Sequence, residues 1–207
     1  MRDKYILTAE SVTEGHPDKL CDTIADAVLD ACLLHDPSAH VACEVMATAG
    51  KLIVAGEISA TELPDIPAIA CSTICKAGYP SLDYEVEVIT RDQSPDIAGA
   101  VSQEDQLGAG DQGIMYGYAT NETAEQMPIP YMVVTKFLQL LKNDPSKMFR
   151  ADAKAQVSYD YDTGRITTFL CSVQHSPDVE VSDFRHVIES MMVLAACEYG
   201  LDGDFTK

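Results

Sequence analysis

His40-Val41-Ala42-Cys43-Glu44-Val45-Met46-Ala47-Thr48 and Lys51-Leu52-Ile53-Val54-Ala55-Gly56-Glu57-Ile58-Ser59 alternate in polarity on either side of Ala49-Gly50. Period-two alternation marks a strand with one face on a core, and a two-residue connection containing glycine joins two such strands as a hairpin. A turn of that length pairs position 44 with position 55. One face then carries Val41, Cys43, Val45, Leu52, Val54 and Ile58, all apolar, and becomes the core side. The other carries Ala42, Met46 and Ile53 with two diagonal carboxylates, Glu44 and Glu57. Two readings of that face stand open: ordinary carboxylates on an exposed sheet, or a pair holding a cation or an amine. A one-residue slip would leave both on one face and change their separation.

The flanking segments are helical. Pro17 and Asp18 open a stripe of Leu20, Ile24, Ala27, Val28, Ala31 and Leu34 that stops at Asp36-Pro37, which predicts a helix over roughly 17–35. Pro64 to Ala77 repeats the helical period with Ile66, Ile69, Ala70, Thr73 and Ile74, and closes on Gly78. Asp83 to Thr90 alternates as a strand. From Arg91 to Gly113 periodicity disappears in a long polar stretch, the pattern of a lid or binding loop. Ile114 to Thr120 reads as a short strand. Tyr131 to Lys142 reads as a helix with Val133, Val134, Phe137, Leu138 and Leu141 inward. Asp152 to Tyr161 and Arg165 to His175 form a second hairpin, and Ser182 to Gly200 a last helix through Phe184, Val187, Ile188, Met191 and Leu194. Helices follow pairs of antiparallel strands, so the expected class is α+β rather than a doubly wound sheet. The strand-helix-hairpin rhythm occurs about twice, without a sequence repeat.

The 207 residues are 46% hydrophobic and 23% charged, enough to bury a sizeable core. Fourteen Lys and Arg against 33 Asp and Glu give a net charge of −19. No broad positive surface is available for a nucleic acid or an anionic membrane. The first residues, Met1 to Leu7, lack the apolar segment of a signal peptide, and no apolar run approaches a membrane span, so a soluble cytoplasmic protein is expected. Seven cysteines, without a Cys-x-x-Cys, fall mostly on apolar positions and are expected as small buried hydrophobes. Cys71 and Cys75 stand one turn apart with no histidine at ligand spacing, so zinc is not expected.

Chemistry concentrates in Glu14-Gly15-His16-Pro17-Asp18-Lys19, an imidazole, carboxylates and an ammonium where a loop enters a helix. Helix N-termini favour phosphate. Asp18 there either holds Mg²⁺ against phosphate oxygens or merely complements the helix dipole, and His16 either donates to a departing oxygen or merely caps. Asp18, Asp22, Asp26 and Asp30 recur every fourth residue as a solvated acidic face. Gly108-Ala109-Gly110-Asp111-Gln112-Gly113 matches G-x-G-x-x-G without the preceding strand and following helix of a dinucleotide fold. Its glycines fit close approach of backbone to a ligand, with Asp111 as a polar anchor. Asp152-Ala153-Lys154 puts an acid and a base on one side of a strand.

Taken in order, several motifs resemble the S-adenosylmethionine synthetase (methionine adenosyltransferase) family. They are Glu10-Ser11-Val12-Thr13-Glu14-Gly15-His16-Pro17-Asp18-Lys19, Asp26-Ala27-Val28-Leu29-Asp30, Gly56-Glu57-Ile58, Gln93-Ser94-Pro95-Asp96-Ile97, Gly108 to Gly113, Tyr118-Ala119-Thr120-Asn121-Glu122-Thr123 and Asp152-Ala153-Lys154-Ala155-Gln156-Val157. The resemblance spans essentially the whole chain. It implies repeated sheet-and-helix layers with a third repeat missing, and two interleaved domains, roughly 13–120 and 1–12 with 121–207. It implies joining of methionine to ATP with loss of triphosphate, later cleaved to pyrophosphate and phosphate. By the same resemblance His16 and Lys154 are catalytic, and His16, Asp152 and Lys154 meet ATP. Glu57, Gln93 and Asp111 hold methionine, Asp18 ligates Mg²⁺, Glu44 lies at a K⁺ site, and Gln93 to Gln103 forms a gate.

A neutral thioether becomes a cationic sulfonium as a polyanion leaves, so such a site needs carboxylates near sulfur and cations near phosphate. This chain is rich in the first and poor in the second. Family members run nearly twice this length, and the part without a counterpart here carries many of the phosphate-facing cations. The expectation is a subunit of a split, heteromeric synthetase, inactive alone, whose second polypeptide supplies the C-terminal third; subunits would build on synthetase-type dimers. The alternative is a non-catalytic regulatory or scaffolding relative that binds an intact synthetase. A shortened form of an ordinary full-length enzyme is a third reading.

Overall fold

Apolar positions at two periods pull this chain into sheets covered on one side by helices. The computed structural model describes residues 5–80, 84–103, 106, 107, 109 and 112–204. The chain divides into two compact units: Met1–His16 with Gly117–Lys207, and Pro17–Tyr116. Each carries one three-stranded sheet, and the class is α+β.

In the Pro17–Tyr116 unit, α1 spans Pro17–His35, β2 His40–Thr48, β3 Lys51–Ser59, α2 Ile66–Ala77 and β4 Glu85–Arg91. The hairpin has the expected register, with Glu44 opposite Ala55 and Ala42 opposite Glu57. Leu52, Val54 and Ile58 are buried beneath α1 and α2, which contribute Leu20, Ile24, Val28, Cys32, Ala70 and Ile74. β4 joins β3 in parallel, a pairing that alternation alone does not reveal. In α1 the buried residues step by four, each step drifting about 40° around the helix. Cys32 therefore turns inward and Leu34, expected in the stripe, is exposed. Asp65 caps α2 through the Ala68 N–H, and Gly78 closes it in the left-handed conformation, its N–H donating to Cys75 O and Ile74 O.

Asp36 ends α1 and ties it to the far end of β3. Its Oδ1 accepts from the Ser38 N–H and hydroxyl, and its Oδ2 from the Thr61 N–H at 2.9 Å. The Ser38 hydroxyl, with the Thr61 and Ser38 N–H groups, holds its carboxyl below the ordinary 3.8. A lowered folded value means stabilisation present above pH 3.8 and lost as pH falls through the folded value. Asp36→Asn should therefore lower the urea midpoint at pH 7, and the gap from wild type should close below pH 3.8.

In the other unit β1 spans Ile6–Val12, α4 Ile129–Lys142, β7 Phe149–Asp160, β8 Arg165–His175 and α5 Val181–Glu198. β7 is central, antiparallel to β1 on one side and β8 on the other. Val133, Val134, Phe137, Leu138 and Leu141 of α4 pack on Ala153, Ala155, Val157 and Tyr159 of β7 and on Ala195 and Ala196 of α5. Glu122 accepts from the Thr120 hydroxyl, the Ile129 N–H and the Tyr161 hydroxyl, so it seats the start of α4. Burial alone would raise its carboxyl; those three hydrogen bonds outweigh it and the net shift is downward.

Several expectations are corrected. The stretch 91–113 is not wholly irregular: α3 spans Pro95–Val101, followed by β5 (Ser102–Gln103) and β6 (Gln106–Leu107). Ile114 to Thr120 forms no strand, because no neighbour supplies a ladder; Ile114, Met115 and Tyr116 are 79%, 90% and 91% exposed. Cys32 is buried, but Cys75 and Cys197 are exposed. Among the described residues no helix is long and apolar enough to cross a membrane.

Candidate functional site

Where β1 ends, Thr13 carries the chain off the sheet and onto β7. Its N–H donates to Ala153 O at 2.9 Å, its hydroxyl donates to Ala151 O at 2.6 Å, and that same hydroxyl accepts from the Ala153 N–H at 2.7 Å. The His16 N–H then donates to Thr13 O, closing a tight turn. Gly15 is buried in the turn; a Cβ there would lie 2.5 Å from Ala151 Cβ and 2.7 Å from the Ala151 carbonyl carbon and oxygen. Only glycine lets the backbone of the His16 loop reach β7 this closely. His16, partly buried, is thus held beside the stretch of β7 that bears Asp152 and Lys154.

That stretch is irregular. Between Phe149 and Ala153 β7 advances four residues while β8 advances two, from His175 to Val173. Bulges of this kind re-aim side chains and recur near active sites. From residue 152 to 158 the alternation is regular: Ala153, Ala155 and Val157 point to the core, and Asp152, Lys154, Gln156 and Ser158 lie on the opposite, partly open face. Glu10 of β1 reaches Lys154 Nζ at 2.9 Å, and Thr8 bonds Ser158 between hydroxyls at 2.8 Å. Lys142, at the end of α4, holds Glu14 of the loop at 2.7 Å. Sequence reading missed Glu10 and Thr13 as members of this group because it did not recognise Ile6–Val12 as a strand, and it missed Lys142 because the helix period does not say which loop the end of α4 meets. The signal was present in the outward Thr8 and Glu10 alternating with Leu7, Ala9 and Ser11.

In the Pro17–Tyr116 unit, Asp18 lies exposed in the first turn of α1. Glu44 and Glu57 share the outer face of the sheet, as the hairpin register requires. A cation does sit beside Glu57, and the chain itself supplies it: Arg91 of β4, directly opposite in the ladder, places Nη2 2.7 Å and Nε 3.0 Å from Glu57 Oε1. Gln93 follows β4; its N–H donates to the Ser59 hydroxyl at 2.9 Å, while its buried Oε1 has no hydrogen-bond partner among the described residues. A buried carbonyl left this way lacks a donor. Asp111 lies outside the described residues, as do Gly108 and Gly110.

Among the described residues no three His, Cys, Asp or Glu side chains converge as a metal site. Mg²⁺ is usually held by one or two carboxylates plus waters and substrate phosphates. Asp18 supplies one hard oxygen donor in the first turn of α1, the kind of group that Mg²⁺ takes. Glu44 supplies a single carboxylate, and its neighbour Glu57 is already paired with Arg91, so the described residues alone do not build a K⁺ site.

Fold and site together define a two-unit α+β protein that gathers imidazole, carboxylate and ammonium groups around one short, glycine-dependent turn. The family model of the S-adenosylmethionine synthetase N-terminal domain matches residues 4–98, and that of the central domain matches residues 106–205. S-adenosylmethionine synthase of Mycoplasma mycoides subsp. mycoides is 41% identical over 98% of this chain and 57% of its own length. The Mycoplasma capricolum subsp. capricolum protein of the same name is also 41% identical with the same coverage. The Clostridium tetani S-adenosylmethionine synthase is 42% identical over 91% of this chain and 56% of its own length. The chain belongs to the S-adenosylmethionine synthetase family and spans a little over half the length of these curated relatives.

Proposed function

We propose that the chain is one subunit of a divided synthetase that forms S-adenosylmethionine from ATP and L-methionine, releasing phosphate and pyrophosphate, with a second polypeptide supplying the C-terminal third. The third sheet-and-helix repeat and the remaining cations belong, in this reading, to that partner. The observation that carries it is electrostatic. The chain's net charge is −19, and the two lysines that the described residues place beside the His16 loop, Lys154 and Lys142, already share their ammonium groups with Glu10 and Glu14. A departing triphosphate needs more positive charge than that to be stabilised.

In the reaction the methionine sulfur donates an electron pair to C5′ of ATP, the C5′–O bond breaks, and the triphosphate leaves with that bonding pair. His16 donates a hydrogen bond to the leaving group, Lys154 approaches its oxygens, and Asp152 orients the nucleotide. Mg²⁺, when bound through Asp18, neutralises phosphate charge. Glu57 and the buried Gln93 Oε1 accept from the methionine ammonium, with Asp111 as a further acid, and the carboxylates stabilise the growing sulfonium. Glu44 is assigned to K⁺ by family likeness.

The test is to purify the chain with and without its candidate partner and to measure methionine-dependent phosphate and pyrophosphate release. The lone chain should be at least about 100-fold slower than the assembly, consistent with loss of several electrostatic contacts. In the assembly Asp18→Asn should collapse turnover; persistence would favour the non-catalytic scaffold. Rapid turnover by the lone chain would overturn the divided-site reading.

A further inference from the structure

The His16 turn and the Asp152–Lys154 stretch come from opposite ends of their unit in sequence, and one side chain joins them. Thr13 is 7% exposed, and its hydroxyl serves Ala151 O and Ala153 N–H together, one on each side of Asp152. These are backbone groups within or bounding the irregular part of β7, where the ladder to β8 is interrupted between Phe149 and Ala153. Strand β1 pairs with β7 as far as Val12 opposite Lys154. One residue further the Thr13 N–H still donates to Ala153 O, its hydroxyl serves the Ala151 O and the Ala153 N–H, and the turn to His16 hangs from the same residue through the His16 N–H to Thr13 O bond.

We propose that Thr13 is a positioning residue, its hydroxyl holding the His16 turn against the irregular stretch of β7 so that His16, Asp152 and Lys154 act on one triphosphate. This rests on the synthetase reading for its substrate, while the mechanical part stands on the hydrogen bonds alone. Valine matches threonine in shape and removes the hydroxyl, leaving the Ala153 N–H and Ala151 carbonyl without their partner. Serine keeps the hydroxyl.

Two measurements separate the two layers. In the intact chain, free of substrate, Thr13→Val should speed amide exchange at Ala153 at least tenfold and move the His16 imidazole resonance, identified by its loss in His16→Asn. The resonances of His35 and His40 should stay in place. Thr13→Ser should restore both signals. In the reconstituted assembly Thr13→Val should lower kcat at least tenfold with little change in KM for methionine, and serine should recover most of it. Thr13→Ala, which cannot overpack, carries the same tests if valine prevents folding. Unchanged exchange and His16 resonance in a folded valine or alanine variant overturn the proposal, as does full turnover by that variant in an active assembly. If the resonance and exchange respond while the wild-type assembly makes no product, the positioning stands and the synthetase reading falls.

Discussion

Gly56→Ala should unfold or severely destabilise the Pro17–Tyr116 unit, by on the order of 3 kcal/mol or more, since it combines a disfavoured backbone region with overpacking. Gly56 has φ 149°, and a Cβ built on it would lie 1.9 Å from Ala42 O and 3.2 Å from Cys43 Cα. The obstruction is backbone on the adjacent strand, so no rotamer change relieves it. To make room β3 must part from β2 at the Gly56–Cys43 pair, beside Glu57 and its partner Arg91. A urea titration followed by circular dichroism should show the midpoint falling well below wild type. An unchanged midpoint would mean that the strands accommodate a methyl group there and that Gly56 is not a steric requirement.

Gly15→Ala should act in the other unit, chiefly on the site. The added methyl meets Ala151 Cβ at 2.5 Å and the Ala151 carbonyl carbon and oxygen at 2.7 Å, so the turn carrying His16 must lift away from β7. Overpacking of this kind costs about 1–3 kcal/mol, and a displacement near 1 Å of a catalytic group costs roughly 100-fold in rate. The assembly proposed above should therefore lose about two orders of magnitude in turnover while the chain remains folded at 25 °C. Adding Ala151→Gly removes the Cβ half of the clash and leaves the backbone half, so the double variant should recover only part of the loss. Wild-type turnover from Gly15→Ala would show that the closeness of the turn to β7 is immaterial.

Both glycines stand inside motifs that were visible in the sequence, yet their reasons were not. Gly56-Glu57-Ile58 sits in an alternating strand whose register follows from the Ala49-Gly50 turn, so the placement of Glu44 and Glu57 on one face was legible in the sequence. What alternation could not reveal is the third strand: β4 pairs in parallel across an α2 crossover, and only that pairing brings Arg91 opposite Glu57. The helices α1, α2, α4 and α5 were legible for the same reason, a sustained 3.6-residue period. Ile6–Val12 alternates as well, but alternation names no partner, and its partner lies some 150 positions away at Tyr159 and Asp160. Ile114-Met115-Tyr116 misled in the opposite sense. Its composition suits a strand, but a strand is defined by a neighbour, and composition carries no information about one. In α3 the helix is only Pro95–Val101, too short to print a stripe.

The Glu57–Arg91 contact alters what it means for a ligand to arrive. Any amine that reaches Glu57 Oε1 must evict a guanidinium already seated there. Occupation of this carboxylate is thus an exchange of one positive charge for another rather than the neutralising of a bare anion. Its equilibrium depends on the difference between two similar local attractions, and Arg91, once displaced, stays tethered as a mobile cation at the rim of the sheet.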